Sequence, residues 1–202
     1  MATDEFRALL EQRIRAADDE ARAVVDQQIR ARYERDGAVL ISDMSGFSRI
    51  TQERGIIHFV ELIHRMRSLT VPLVEAHGGR LIKAEADNLF VLFDTAQAAV
   101  DTAVAMLDAC REAFVGRDRN DTVAIGIGIA SGRLLDLDGL DFFGDPVNLA
   151  SKLGEDLASG GDLLVTAQAA AEIAVPDGWS SAARRERISN IEIEFVALTP
   201  AP

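Results

Sequence analysis

The order of apolar segments between Gly37 and Leu137 limits the fold more than any other feature of the sequence. Short continuous apolar runs predict buried strands, and longer stretches with one apolar face predict helices. In chain order, the predicted elements are a strand over 37–44, a helix over 51–76, strands over 80–86 and 88–93, a helix over 95–114 and a strand over 122–137. The order is therefore β-α-β-β-α-β, the ferredoxin-like split unit of an α+β protein.

Beyond this core, the pattern predicts additions on the C-terminal side. A short LDFFG segment precedes a helix over 146–158, for which Asp145 is the predicted N-cap and Pro146 a favourable first residue. The last predicted elements are a strand ending at Thr166, a small helix over 168–174 and an alternating, edge-type strand over 188–198.

The first 36 residues differ in character from the domain that we assign to 37–202. They are highly charged and contain neither Gly nor Pro, and a stripe at spacings of three and four predicts an amphipathic helix. We call this set the N-terminal stripe; it consists of Leu10, Ile14, Ala17, Ala21, Val24, Gln28 and Ala31. Two interpretations stay open: a helix that lies on its own domain, or one that pairs with a regulatory partner and transmits a signal.

Composition excludes several classes of function. A net charge of -12 argues against binding to nucleic acid or to an anionic membrane surface, because both need clustered Lys and Arg. Cys110 is the only cysteine, so no disulfide can form within the chain. The acidic start does not resemble a secretory signal, and no apolar run approaches the roughly 20 residues that span a bilayer. We therefore expect a cytoplasmic protein.

Two carboxylates lie where predicted strands end. Asp43 closes the first strand, and Asp87 lies at the break of the hairpin. A strand-terminal Asp is often only a turn or cap residue. If the fold brings these two together, however, they could bind divalent cations and hold a triphosphate. The turn over 45–48 could then direct free backbone N–H groups towards phosphate oxygens.

Three segments together resemble the catalytic domain of the class III nucleotidyl cyclases. VLISDMSGFSRIT is similar to the first metal motif of that family, and KAEADNLFVLF to its second. DFFGDPVNLASKLGEDLASGGDLLVT is similar to its asparagine-containing segment. Order and spacing are preserved, and the likeness runs from about Gly37 to Leu198.

The resemblance implies a metal site and a phosphate site. Asp43, the main-chain carbonyl of Met44 and Asp87 would bind two Mg2+ or Mn2+ ions. Phe47 and Ser48, at the start of the next helix, would contact the substrate. The expected substrate is therefore a nucleoside triphosphate.

The resemblance also implies roles for four residues of the other half of the site. Lys83 and Asp141 would read adenine, Asn148 would orient the ribose, and Lys152 would stabilise charge on the α-phosphate, at a position where many relatives have Arg. In the family these groups come from a second chain. The expected protein is a head-to-tail homodimer that converts ATP to 3',5'-cyclic AMP and pyrophosphate.

The sequence departs from the family pattern at three places. Ala86 replaces the usual Gly before the second Asp, Lys152 replaces Arg, and the connection from Gly132 to Asp141 is short. Two alternatives therefore stay open. One is the same chemistry on GTP or a pyrimidine triphosphate. The negative charge of Glu85 beside the base site is the reason to keep this alternative. The other is a catalytically silent module that binds nucleotide or dimerises.

Overall fold

The structure is a computed structural model that describes residues 4–188 and 190–201. The described residues form one mixed sheet and the helices that pack on it. Its strands are β1 (Glu34–Met44), β2 (Arg80–Glu85), β3 (Asn88–Phe93), β4 (Ile125–Asp136), β5 (Phe142–Phe143), β6 (Leu163–Thr166), β7 (Trp179–Ile188) and β8 (Ile191–Pro200). The helices are α1 (Asp4–Arg15), α2 (Asp19–Tyr33), α3 (Phe47–Arg54), α4 (Ile56–Ala76), α5 (Ala96–Ala113), α6 (Asp145–Ser151) and α7 (Ala167–Ala170). A π-helical segment, Lys152–Leu157, continues α6.

The predicted β-α-β-β-α-β core is confirmed. The sheet order is β2-β3-β1-β4-β6-β8-β7, with β5 paired to β4. Strand β1 lies between β3 and β4 and is antiparallel to both, whereas β4 and β6 are parallel. The C-terminal additions extend the sheet on the β4 side, as the α+β assignment with C-terminal additions requires.

The centre of the sheet is buried on both faces. On one face, Ala38 and Leu40 of β1 pack in a large core with residues of α4 and α5. On the other face, Val39 and Ile41 pack with Phe142 and with Ala150 of α6. A strand buried on both sides reads as a continuous apolar run, which explains why GAVLIS shows no alternation.

Two predicted helices are each divided into two. The helix over 51–76 is interrupted at Gly55, whose φ of +87° ends α3 and precedes α4. The N-terminal segment breaks before Asp18, whose side chain accepts a hydrogen bond of 2.8 Å from the Ala21 N–H and caps α2. The Asp18 side chain favours a new helix start at this point, because it satisfies a backbone donor that the helix leaves free.

The break changes which face of the N-terminal helices is buried. Phe6, Ile29 and Tyr33 form a small core with Leu137 of the main domain. By contrast, the large members of the N-terminal stripe are exposed, including Ile14 at 79%. The helices therefore lie on their own domain, but through a face other than the predicted one.

The C-terminal strands also differ from expectation. The sequence predicts that the last strand lies at an edge, but β8 is interior and pairs with both β6 and β7. The edge strand is β7, which the sequence analysis does not predict. Eight of its ten residues are exposed, so it lacks the apolar alternation by which strands are recognised.

No helix among the described residues is long and apolar enough to cross a membrane.

Candidate active site

Asp43 lies at the end of β1, where the chain turns into α3. It pairs in register with Gly126 of β4 and is partly buried. The next turn is fixed by the Ser45 N–H, which donates to the Ala124 carbonyl at 2.9 Å. Gly46 has a φ of +99° and starts α3. Phe47 and Ser48 are the first residues of α3, so their N–H groups have no partner within the helix, and both side chains are exposed.

Asp87 lies in the two-residue turn between β2 and β3. Glu85 pairs with Asn88, which leaves Ala86 and Asp87 at the tip. Ala86 has a φ of +48°, in the left-handed region that favours glycine. The position at which the sequence departs from the family pattern is thus one at which glycine has a physical advantage.

The fold brings the two carboxylates together. Asp43 and Asp87 line one open cleft of about 590 Å³, and the turn over 44–49 forms another wall of it. A cleft of this size accommodates a polyphosphate group. The structure therefore places the predicted metal ligands beside the predicted phosphate-binding turn.

The cleft has an excess of negative charge. The pKa of Asp43 is raised to about 6, chiefly by burial and then by the nearby charges of Asp87 and Glu155, against a hydrogen bond from the Met44 backbone that lowers it. In the described part of the chain, no Lys or Arg forms a salt bridge with Asp43 or Asp87. Unpaired carboxylates that repel one another favour the binding of a cation.

These residues fit a hard divalent cation but cannot surround it alone. The described residues contain no group of three or more His, Cys, Asp or Glu side chains arranged to hold an ion. Asp43 and Asp87 offer carboxylate oxygens, the ligand type that Mg2+ and Mn2+ prefer. Remaining ligands would come from a main-chain carbonyl, such as that of Met44, and from phosphate oxygens of the substrate.

Glu155 is a residue that the sequence analysis did not identify. It lies on the π-helical segment, and its carboxylate accepts hydrogen bonds from the Asn88 amide at 2.7 Å and from the Ser151 hydroxyl at 2.9 Å. π-helical turns within helices are frequent at functional sites. No periodicity in the sequence could have linked Glu155 to Asn88, because 67 residues separate them.

Lys83 and Asp141 form a second cluster outside the cleft. The Lys83 ammonium lies 3.5 Å from an Asp141 carboxylate oxygen and 4.8 Å from the centre of the Phe90 ring. The same Asp141 oxygen accepts a hydrogen bond of 2.9 Å from the Phe142 N–H, which fixes its direction. Glu85 lies 4.0 Å from the Lys83 ammonium. The predicted base-reading pair is thus already assembled.

Asn148 and Lys152 lie on α6 and at the start of the π-helical segment. Asn148 is exposed and Lys152 partly so, and neither side chain forms a hydrogen bond or salt bridge within the described ranges. The prediction that Asp145 is the N-cap was wrong. Asp145 is the first helical residue, and Gly144 precedes it without a side-chain cap.

Close backbone packing fixes the segment that carries Lys152. A Cβ atom on Gly154 would lie 2.5 Å from the Ile41 carbonyl oxygen, and one on Gly128 would lie 2.3 Å from the Ala150 carbonyl oxygen. Neither distance is possible for a real side chain. The glycines at 128 and 154 therefore let the helix lie directly on β1 and β4.

A model of the adenylate and guanylate cyclase catalytic domain matches residues 30–189 of the chain. The chain belongs to this family. Its fold is that of the class III cyclase catalytic domain, as the sequence resemblance indicated.

Individual relatives are distant. A putative adenylate cyclase of Rhizobium meliloti is 30% identical over 132 residues, which are 65% of this chain and 22% of the relative. An adenylate cyclase of Streptomyces coelicolor is 31% identical over 121 residues, 59% of this chain and 30% of the relative. The chain thus spans less than a third of either relative.

A solved structure of an adenylate/guanylate cyclase/hydrolase from Silicibacter pomeroyi is similar over most of the domain. It superposes with a TM-score of 0.71 at 28% identity, over 83% of this chain and 98% of that one.

The strained turn of this cyclase domain leads to a stability prediction. Ala86→Gly should raise the free energy of unfolding by up to about 1 kcal/mol, because Gly adopts a positive φ without steric cost. Urea denaturation measures the change. Ala84→Gly, in β2 three residues before Asp87, is the matched control and should lower stability, since a strand interior disfavours Gly. A destabilising effect of Ala86→Gly would show that the turn is not strained.

Proposed function

We propose that the protein is a metal-dependent adenylate cyclase that converts ATP to 3',5'-cyclic AMP and pyrophosphate at sites shared by two chains. The observation that carries this proposal is that the cleft of one chain is lined by only part of the predicted site. Asp43 and Asp87 line the cleft, whereas none of Lys83, Asp141, Asn148 and Lys152 does. A head-to-tail homodimer would bring the missing half from the partner and create two equivalent sites.

In this proposal, each half-site has a distinct task. Asp43 and Asp87 hold the cations, and the N–H groups of Phe47 and Ser48 at the α3 N-terminus donate hydrogen bonds to phosphate oxygens. Bound Mg2+ or Mn2+ would neutralise the triphosphate and make the ribose 3'-hydroxyl more acidic. Asn148 orients the ribose for in-line attack on the α-phosphate, and pyrophosphate is the leaving group.

The base preference follows from hydrogen-bonding groups. Lys83 can donate to adenine N1, and Asp141 can accept from the adenine amino group. The 3.5 Å pair with Asp141 and the Phe90 ring hold Lys83 in place for this role. Guanine presents the reverse pattern of donor and acceptor at these two positions, so adenine is the favoured base.

GTP is the alternative substrate, and one observation favours it. The Glu85 carboxylate lies 4.0 Å from the Lys83 ammonium, so an acceptor stands near the position of the base. Such an acceptor could bind the guanine N1–H and amino group.

A product assay tests these proposals together. The protein is incubated with Mn2+ and each nucleoside triphosphate in turn, and cyclic products are identified by mass. The expected result is dominant cyclic AMP. Dominant cyclic GMP or a cyclic pyrimidine nucleotide would contradict the adenine assignment. Nucleotide binding without any cyclic product would instead show a silent cyclase-like module.

The identity of residue 152 should affect kcat. Lys152→Arg should raise kcat up to about tenfold, because the planar guanidinium can form two hydrogen bonds to the α-phosphate where the ammonium forms one. Lys152→Met, of similar length but uncharged, should lower kcat strongly. Steady-state rates with saturating ATP and Mn2+ measure both. Unchanged kcat in the two variants would remove Lys152 from the phosphate site.

A further inference from the structure

The turn that carries Asp87 is held from two sides. On one side, the Arg67 guanidinium of α4 donates to the Ala86 carbonyl. On the other, the Asn88 side chain donates to Glu155 at 2.7 Å. Both contacts involve residues adjacent to Asp87 in the chain. The direction of the Asp87 carboxylate therefore depends on groups outside its own hairpin.

Glu155 is itself fixed by its surroundings. Its second carboxylate oxygen accepts from the Ser151 hydroxyl at 2.9 Å, one turn earlier on the same helical run. The residue before it, Gly154, is pressed against the Ile41 carbonyl of β1. Glu155 is thus a fixed acceptor, held next to β1, the strand that carries Asp43.

We propose that Glu155 is a positioning residue for the metal site, which orients Asp87 through the hydrogen bond from Asn88. This inference rests on the proposed function, in which Asp87 binds the cation. Groups that orient metal ligands typically change metal affinity or activity 10- to 100-fold when they are removed.

In the proposed dimer, Glu155 would also lie between residues that belong to two different sites. It lies three residues after Lys152 on the π-helical segment. Asp87 of one chain would serve one site, and Lys152 of the same chain would serve the other. The Asn88–Glu155 hydrogen bond is then a physical connection between the two sites of the dimer.

The conservative variant separates positioning from direct metal binding. Glu155→Gln keeps a carbonyl oxygen for Asn88 and an amide that can donate to the Ser151 hydroxyl. Mn2+ binding to the full chain is measured by electron paramagnetic resonance. Glu155→Ala should weaken binding about 10- to 100-fold, and Glu155→Gln should restore most of it. Equal losses in the two variants would show that the negative charge itself is required, and would overturn the positioning role.

Glu172 provides a matched control. It is an exposed Glu that accepts a hydrogen bond of 2.6 Å from the Ser131 hydroxyl, away from the cleft. Glu172→Ala should leave Mn2+ affinity unchanged. If Glu172→Ala weakens Mn2+ binding as much as Glu155→Ala, the effect is general and the proposal fails.

A measurement on the metal-free protein keeps this inference separate from the proposed activity. Hydrogen–deuterium exchange in a peptide that spans 84–89 reports whether the turn is held. Glu155→Ala and Asn88→Ala should each accelerate exchange in this peptide. The double variant should exchange no faster than either single variant, because both substitutions remove the same Asn88–Glu155 hydrogen bond. Additive or absent effects would overturn the proposal even in an active enzyme. If the two substitutions show the expected non-additive effect on exchange, but the wild type neither binds Mn2+ nor forms a cyclic product, the proposed function is contradicted instead.

Discussion

Mixing inactive Asp43→Ala protein with inactive Lys83→Ala protein should restore about a quarter of the wild-type activity at equal total concentration. With random exchange of subunits, about half of the dimers are mixed, and one of the two sites in each is intact. That site takes its metal half from the Lys83→Ala chain and its base half from the Asp43→Ala chain. The basis is that Lys83 and Asp141 pair with each other and do not line the cleft of Asp43 and Asp87.

The control pairs two variants of the same half-site. A mixture of Asp43→Ala and Asp87→Ala should stay inactive, because both sites of every dimer then contain a broken cleft. Subunit exchange is verified with differently tagged chains. If exchange is proven and the first mixture stays inactive, the shared-site arrangement is wrong. Recovery in the control mixture would show that Asp43 and Asp87 do not serve the same site.

The sheet core could be predicted from the sequence because its signals are local. Strands β1 and β3 contain short apolar runs, and each long helix has a continuous apolar face. The strand β7 gave no such signal. Its sequence, WSSAARRERI, is mostly exposed on both faces, and β7 pairs with β8 while only Trp179 and Ile188 at its ends pack against apolar clusters. Strands that depend on a partner for their form lack an intrinsic pattern.

The candidate site shows the same division. Asp43, Asp87 and the turn after β1 could be identified because each lies within a contiguous motif. Ala86 could be singled out on the same basis, because it stands where the family usually has Gly, and in the structure its φ is +48°. Glu155 could not be identified, since its role depends on a contact with Asn88 across 67 residues. The buried face of the N-terminal helices was mispredicted because the Asp18 cap breaks the register between α1 and α2.

Asp43→Asn should remove catalysis and yet stabilise the metal-free fold. Activity should fall about a thousandfold or more, because the neutral amide is a poor ligand for a hard cation and leaves Asp87 alone in the cleft. Stability should change in the opposite direction. The Asp43 carboxylate is desolvated and repelled by Asp87 and Glu155, and its pKa is raised to about 6. The amide carries none of this repulsion.

The sign of the pH dependence follows from the raised pKa. In the folded protein Asp43 holds its proton up to about pH 6, whereas in the unfolded chain the proton leaves near the ordinary pKa of about 4. The folded state therefore binds the proton more tightly, and the stability from this proton is lost as the pH rises from about 4 to above 6. Asp43→Asn does not titrate, so its advantage over the wild type should grow across this range and then stay constant.

Thermal melts in EDTA at several pH values measure the difference in stability between Asp43→Asn and the wild type. Because Asp43 is partly exposed, solvent screening should limit this difference in the free energy of unfolding to about 1 kcal/mol above pH 7, a shift in Tm of about 2–4 °C. The exposed Asp177→Asn is the control and should change neither activity nor Tm. Added Mn2+ should raise the Tm of the wild type but not of Asp43→Asn, because ligand binding stabilises only a fold that binds it. If Asp43→Asn is less stable than the wild type at pH 7, the Asp43 carboxylate stabilises the fold. If the variant is more stable but inactive, the carboxylate destabilises the metal-free fold and is needed for binding the cation.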